Sequence, residues 1–440
     1  MNKISIFIKY ALSVIAGLFM ITGCVEEYEA DLPEGETRLL VVNGSICSNQ
    51  HNEFQLTWSS SLNDKSGNYL NNMEAMPVVG AKVTICGTDG TKYECEETKH
   101  MVSIYTEKND DSDEYDDSDE YYDSDENENR EEYVYEYGFY SCDLPELDPN
   151  VSYFLTIKYE KDTYQSTPEK PIRTPDIETL EYFQKDSLSD VEILLTTAAP
   201  DDPDKTLYYT WDYTETWEVR PVRTTYIIFD PAVERKIRYR VKDEVFPKRG
   251  WLLGHSQRII TESTVNYAGG KFCKYQILSI PRNDERISWN YCHDIRQRAI
   301  SKAEYEYEIA CRQAGWEMGG LFTPQPSALP SNIRCITSSK RAIGYVGCSQ
   351  NVATKRVYVD GEKISRITPK ASDVYLKLYW CTDEDCMDMQ NQGMVLFEWD
   401  DRRELNGPLV TGWGTLADFD VRQRGATTDK PDYMPPFDEE

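Results

Sequence analysis

The sequence predicts a mainly β protein. An N-terminal Ig-like β-sandwich is expected over residues 39–175, followed by a larger β-rich unit over 176–440 with one packed α-helix at 301–317. Three observations carry this. Strand-forming residues are abundant, with 31 Tyr among 440 residues. Short apolar/polar alternations recur between Pro, Gly, Asn and Asp. One stretch alone has a clear helical period.

The strands follow in order. Leu39 to Ile46 and Phe54 to Trp58 are candidates. Val78 to Cys95 reads as a hairpin in which Asp89-Gly90 supplies the positive φ of a two-residue turn, placing Cys95 opposite Thr84. Val151 to Tyr159 alternates, with Tyr153, Leu155, Ile157 and Tyr159 on one face. Four to seven such strands suit an Ig-like sandwich. Thr167 to Pro175 is Pro-rich and stiff, and marks the boundary. Beyond it, Val191 to Thr197, Leu207 to Val219 and Thr224 to Phe229 read as strands, and Arg240–Val245 is expected to pair with Tyr275–Ile280. Ser301 and Glu304 form a capping box. Ala303, Tyr307, Ala310, Cys311 and Ala314 then make one apolar stripe, with Glu304, Glu306 and Glu308 on the outer face.

The N-terminus reads as a processing segment. Lys3 and Lys9 precede the apolar run Tyr10 to Ile21, which is too short to span a bilayer. Ile21-Thr22-Gly23-Cys24 resembles the lipobox of bacterial lipoproteins. Residues 1–23 are therefore expected to be a signal peptide, and Cys24 the lipid anchor. Stable anchoring takes more than one acyl chain, palmitate for example. Residues 24–38 form an acidic tether that resembles a surface-export signal. The expected location is the outer membrane, lipid-anchored and facing the cell exterior.

Net charge is −30, from 77 acids and 47 bases. Nucleic acid is disfavoured as a partner, since binding it needs Lys and Arg to neutralise phosphates. Residues 107–132 hold fifteen acids and two bases, −13 of that total, in an Asp-Ser-Asp-Glu repeat of period six. Such a block repels itself and is expected to be a disordered insertion. Asp123, Asp125 and Asn127 copy the start of a calcium loop, but Glu128 stands where that loop needs Gly and Val134 where it needs Glu. Diffuse cation binding is the favoured reading there.

The chain has twelve Cys, so eleven remain after Cys24 and at least one is unpaired within the chain. Three local disulfides are candidates: Cys86–Cys95, Cys335–Cys348 and Cys381–Cys386. A zinc site at Cys381 and Cys386 lacks a second ligand pair at the right spacing.

A run of motifs carries a family resemblance. Leu40-Val-Val-Asn-Gly-Ser-Ile46, Pro77 to Val83, Tyr208 to Tyr213 with Glu215 to Trp217, Met318 to Ser327, Leu329 to Ile333, Ala342 to Val346, Lys355 to Tyr358 and Arg422 to Tyr433 occur in a known order. The chain resembles the Bacteroidota outer-membrane lipoproteins of the domain-of-unknown-function 4249 family. The tail departs from that pattern. Asp418 and Val421 stand where the family has a Cys pair, and the family's Trp is replaced around Met434. The resemblance implies an outer-membrane lipoprotein, often encoded beside a TonB-dependent transporter, with no known catalytic residue or cofactor.

No catalytic constellation stands out. The four His (His51, His100, His255, His293) make no zinc motif. Ser256 lacks a nucleophile-elbow setting, and Gly412-Trp-Gly-Thr-Leu-Ala417 has no βαβ context. Tyr209, Trp211 and Tyr213 share one strand face and are candidates to stack on a glycan or peptide. A sandwich core is the favoured reading of the same face. The expected role is a non-catalytic accessory of a TonB-dependent barrel, in ligand capture or gating. A structural or adhesive surface protein is the alternative, and a glycan- or peptide-acting hydrolase the third reading.

Overall fold

A computed structural model describes residues 38–59, 76–104, 132–202, 205–234, 236–316, 329–368 and 375–435. The leader, Cys24, the tether and the repeat with Asp123, Asp125 and Asn127 lie outside the described residues. The described chain is mainly β and gathers around three larger apolar cores and two small ones.

The N-terminal strands join one ten-stranded sheet. Its order runs Ile333–Cys335, Asp162–Ser166, Tyr153–Tyr159, Lys82–Gly87, Lys92–Ile104, Glu132–Asp143, His51–Trp58, Leu40–Asn43 and Ala342–Ile343, with Met76–Pro77 beside His51–Trp58. Arg334 and Arg341 bridge its two ends, so the sheet nearly closes on itself. Closure leaves few unpaired edges and encloses Leu40, Phe54, Leu56, Val83, Ile85, Tyr140 and Leu155. Ile333–Cys335 and Ala342–Ile343, which the sequence reading places in the second unit, thus complete the first sheet, and Cys348–Ser349 forms a small separate sheet with Ile46–Cys47. Their pairing with Leu40–Asn43 and Ile46–Cys47 is parallel.

The Val78–Cys95 hairpin is present with a different turn. Gly87 N–H donates to the Thr91 carbonyl at 2.9 Å, which closes a three-residue loop at 88–90. Gly90 takes the expected positive φ, +96°. The longer loop slips the register, so Cys95 faces Val83 rather than Thr84. A one-residue slip moves a side chain to the other face of its strand. Cys86 and Cys95 therefore point to opposite sides.

The second core lies between two sheets. One holds Ile177–Gln184, Val191–Thr197 and Tyr275–Ile280. The other holds Gly250–His255, Tyr208–Val219, Asn290–Ile300 and Ala353–Asp360, with Ile260–Ser263 also on Tyr208–Val219. The expected partner of Tyr275–Ile280 is corrected: it pairs with Val191–Thr197. Residues 242–244 instead form a 3-10 turn held by Arg238, whose guanidinium is bidentate on Glu244 at 2.6 and 2.7 Å. A third core, around Leu396, Leu409 and Trp413, lies among Leu376–Tyr379, Met394–Asp401, Leu409–Thr415 and the helix Asp383–Asn391. Residues 176–440 hold both of these cores.

Gly344 shows how tightly the first sheet closes. Its φ is +138°, and a Cβ there would collide with the Val42 carbonyl. Gly344→Ala is expected to cost about 2–4 kcal/mol, through strain and forced separation of the parallel Leu40–Asn43 and Ala342–Ile343 strands. Urea denaturation of the variant beside the wild type measures this.

Candidate functional site

The strand Tyr208–Val219 has an apolar inner face and a polar outer face, because successive side chains alternate. The inner face settles the stacking candidates. Tyr209, Trp211 and Tyr213 are all buried. Tyr209 and Trp211 stack on each other at 5.6 Å, and Phe272 meets both edge-on. Trp211 Nε1 donates to Gln297 Oε1 at 2.9 Å, and Gln297 Nε2 donates to the Pro175 carbonyl at 2.8 Å. These rings lie in the second core, where they fill the gap between the sheets together with Ile177, Leu180, Val191 and Leu195. Trp211→Ala is expected to lower stability by about 3–5 kcal/mol, from the cavity and the stranded Gln297 amide. Thermal unfolding checks it; an unchanged melting temperature would restore a surface role.

The outer face meets different neighbours along its length. At one end the helix Lys302–Trp316 lies over Tyr208, with Tyr208 and Tyr305 ring centroids 5.0 Å apart. Thr210 and Arg298 are register partners there. A helix covering Thr210 and Arg298 must present polar groups to them. Glu304 does so, and is buried. It accepts from Arg298 Nη2 at 3.1 Å instead of reaching back to the Ser301 amide. Half of the expected capping box remains: Ser301 Oγ accepts from Glu304 N–H at 3.1 Å. Of the expected apolar stripe, Tyr307, Ala310 and Cys311 are half-buried but Ala303 is exposed. Glu304 and Glu308 leave the predicted outer face because Arg298 beneath them needs carboxylates.

The network extends into the first sheet. Tyr345 donates to Glu169, and its hydroxyl lies 3.2 Å from Ser301 Oγ. A Cβ on Gly347 would strike the Glu304 carboxylate, so glycine is what lets that carboxylate in. Burial, with the Glu304 charge nearby, pushes the Glu308 carboxyl up to about 7. Burial also raises Glu169, despite the Tyr345 hydrogen bond. For Arg298, burial opposes the charge, but Glu304, Cys47 and Glu308 outweigh it and hold the guanidinium above its ordinary range.

These shifts have a pH consequence. Glu308 has an ordinary value of 4.5. Between pH 4.5 and about 7 the folded chain holds a proton there that the unfolded chain has lost. Stability from this group is therefore full below 4.5 and falls as pH rises through 7. Glu308→Gln is expected to flatten that decline, worth on the order of 1–3 kcal/mol, in melting temperatures measured from pH 4 to 8.

At the other end of the outer face sits the C-terminal segment. Tyr433 Oη is 2.8 Å from Thr216 Oγ1, and the Arg356 guanidinium lies over the Tyr433 ring at 4.4 Å. Between helix and tail the face is open, a groove of about 430 Å³ lined by Thr214, Asp294, Arg296, Thr354, Lys355 and Arg356. Asp294 pairs with Arg356, and Asp212 lies 3.9 Å from Arg296. The floor is polar and mixed in charge, suited to hydroxyl-rich or zwitterionic ligands.

A second buried polar cluster lies on the inner face. Arg286 Nη1 donates to both Glu215 oxygens, at 2.8 and 2.9 Å, and Tyr291 donates to Glu215 Oε1 at 2.5 Å. That commits the Tyr291 proton, so His293 Nδ1 donates to the Tyr291 oxygen at 3.0 Å. Burial, reinforced by Arg286, pushes His293 down to about 3, and it is neutral. His293 is fully buried, so this four-residue cluster braces the sheet.

The remaining candidates separate. Cys381 and Cys386 do meet, at 3.2 Å. Cys95 meets Cys142 at 2.9 Å, while Cys86 lies 3.7 Å from Thr156 Oγ1, which corrects the Cys86–Cys95 pairing. Cys335 lies 3.1 Å from Ser338 Oγ on one edge strand, whereas Cys348 sits in a strand beside Ile46–Cys47, so that pair is not brought together. Ser256 closes a strand end through its amide, which donates to the Tyr213 carbonyl at 2.9 Å. The Gly412–Ala417 run starts in the middle strand of an antiparallel sheet, without a parallel crossover. Among the described residues, no group of three or more His, Cys, Asp or Glu is placed to hold a metal ion. No helix among them is long and apolar enough to cross a membrane.

A family model described as domain of unknown function (DUF4249) matches residues 25–356. The chain belongs to this family. The matched DUF4249 region contains the first core, all of the second but Val359 and the residues beside it, the helix and the groove floor, and ends within Ala353–Asp360. The tail motif at 422–433 and most of the third core lie beyond it, while Phe229 of that core lies inside the match. No curated protein matches the chain.

Proposed function

We propose that this DUF4249 protein is an outer-membrane lipoprotein, anchored through Cys24 and facing the cell exterior. Its proposed role is that of a non-catalytic accessory that captures or gates a ligand for a TonB-dependent barrel. The observation that carries the reading is the run Ile21-Thr22-Gly23-Cys24 behind a short apolar leader. The acidic tether supports export to the surface. The net charge of −30 disfavours lying directly on anionic lipid, so acyl chains and a tether are the consistent means of attachment. The polar groove between helix and tail supplies a capture surface. The Ig-like reading of the first sheet belongs to this proposal too: Lys92–Ile104 pairs with one neighbour over its first residues and another over the rest, as a sandwich corner does.

Two measurements test it. Growth with an alkyne-tagged palmitate is expected to label the wild type, while Cys24→Ala loses the label and leaves the outer-membrane fraction. An affinity pull-down from gently solubilised outer membranes is then expected to recover a stoichiometric TonB-dependent barrel. Recovery of the labelled lipoprotein alone, under conditions that keep known barrel–lipoprotein pairs intact, would sink the accessory role and favour a free-standing adhesive protein.

A further inference from the structure

We propose that Cys95 and Cys142 are joined by a disulfide that locks the corner of the N-terminal sheet. Three observations carry it. Glu96 pairs with Ser141 across the antiparallel strands Lys92–Ile104 and Glu132–Asp143, so the next step of the register sets Cys95 directly opposite Cys142. Directly opposed residues bring their Cβ atoms to the separation that a disulfide spans. Their Sγ atoms are 2.9 Å apart, so bond formation needs only a small side-chain adjustment. Both thiols are half-buried and pack against the first core, which leaves an oxidant access while holding the pair in place.

Position gives the bond its purpose. Cys95 pairs with Val83 on one side, and Glu96, the next residue, pairs with the neighbouring strand on the other. Cys142 in turn pairs with Asn52. The bond sits where Lys92–Ile104 changes partners and the sheet turns toward closure. It also ties the base of the hairpin whose connection carries the acidic repeat, across 47 residues of sequence. A cross-link over so long a loop removes much of the freedom of the unfolded chain.

The chemistry is a thiol–disulfide exchange with a disulfide oxidant, such as a thiol–disulfide oxidoreductase or oxidised glutathione. One cysteine thiolate attacks the oxidant's disulfide, forming a mixed disulfide and releasing one oxidant thiolate. The second cysteine thiolate attacks the protein sulfur of that mixed bond and expels the other. The two protein thiols are oxidised, the oxidant disulfide is reduced to two thiols, and the two protons pass to them.

The test uses the purified full-length protein, equilibrated natively with oxidised glutathione and then alkylated, digested and read by mass spectrometry without reduction. The expected result is a peptide joining Cys95 to Cys142 that disappears on reduction, while exposed Cys273 contributes nothing to it. Alkylation of both Cys95 and Cys142 in the unreduced sample, or a bond from either to a different cysteine, overturns the proposal. A second readout is stability. Oxidised wild type is expected to melt above Cys95→Ser oxidised in the same way; equal melting temperatures would refute the locking role. Membrane attachment plays no part in these measurements, so they stand or fall apart from the transporter reading.

Discussion

The arrangement depends on Arg298. Its guanidinium projects from the outer face of a sheet, where Lys302–Trp316 and the edge of the first sheet meet over it. A charge so far from solvent must be paired, and removing its partner would leave an uncompensated ion. Glu304 is that partner, so the helix is fixed in rotation: the side holding Glu304 and Glu308 faces down. Gly347 must then lack a side chain, and Tyr345 is left beside Glu169 and Ser301. One ion pair thus sets the helix against both sheets. Burial beneath the helix raises Glu308 and Glu169, and the neighbouring Glu304 charge adds to it.

Strand alternation divides this region into two environments. The inner face of Tyr208–Val219 carries the aromatic core and, farther along, the Glu215–Arg286–Tyr291–His293 cluster. The outer face is covered by helix at one end and tail at the other. The groove is the part of a polar face that neither covers. Its mixed charges follow from that geometry: Asp and Arg alternate across neighbouring strands, pair laterally and stay soluble without a cover.

Local signals in the sequence account for much of this. The alternation of Tyr153, Leu155 and Ile157 predicts buried positions that are buried, and Ser301 marks the helix start. Non-local pairing had no such signal. Ile333–Cys335, Ala342–Ile343 and Cys348–Ser349 have only two or three residues each, too few for a period, and their partners lie far away in the sequence, at Asp162–Ser166, Leu40–Asn43 and Ile46–Cys47. Ser-x-x-Glu satisfies the capping rule as well as it satisfies Arg298, so only the tertiary partner decides which face of the helix Glu304 occupies. The Cys pairing failed by one residue of loop length. Asp89-Gly90 fits a two-residue turn, while the Asp89 side chain, accepting from Thr91 N–H at 3.0 Å, favours the longer one.

Burying charge usually adds little net stability compared with an apolar core. A network that places Arg298 under two glutamates is therefore hard to explain by stability alone. Specificity explains it better. The outer sheet face is polar along its length, and an apolar helix would have no preferred seat on it. The ion pair gives one seat, near Tyr208 and Thr210, and leaves Asp212 to Arg356 uncovered. Replacing the network with apolar residues of similar volume would then let the helix slide over the open face, so the groove exists because the helix is held by charge rather than by grease.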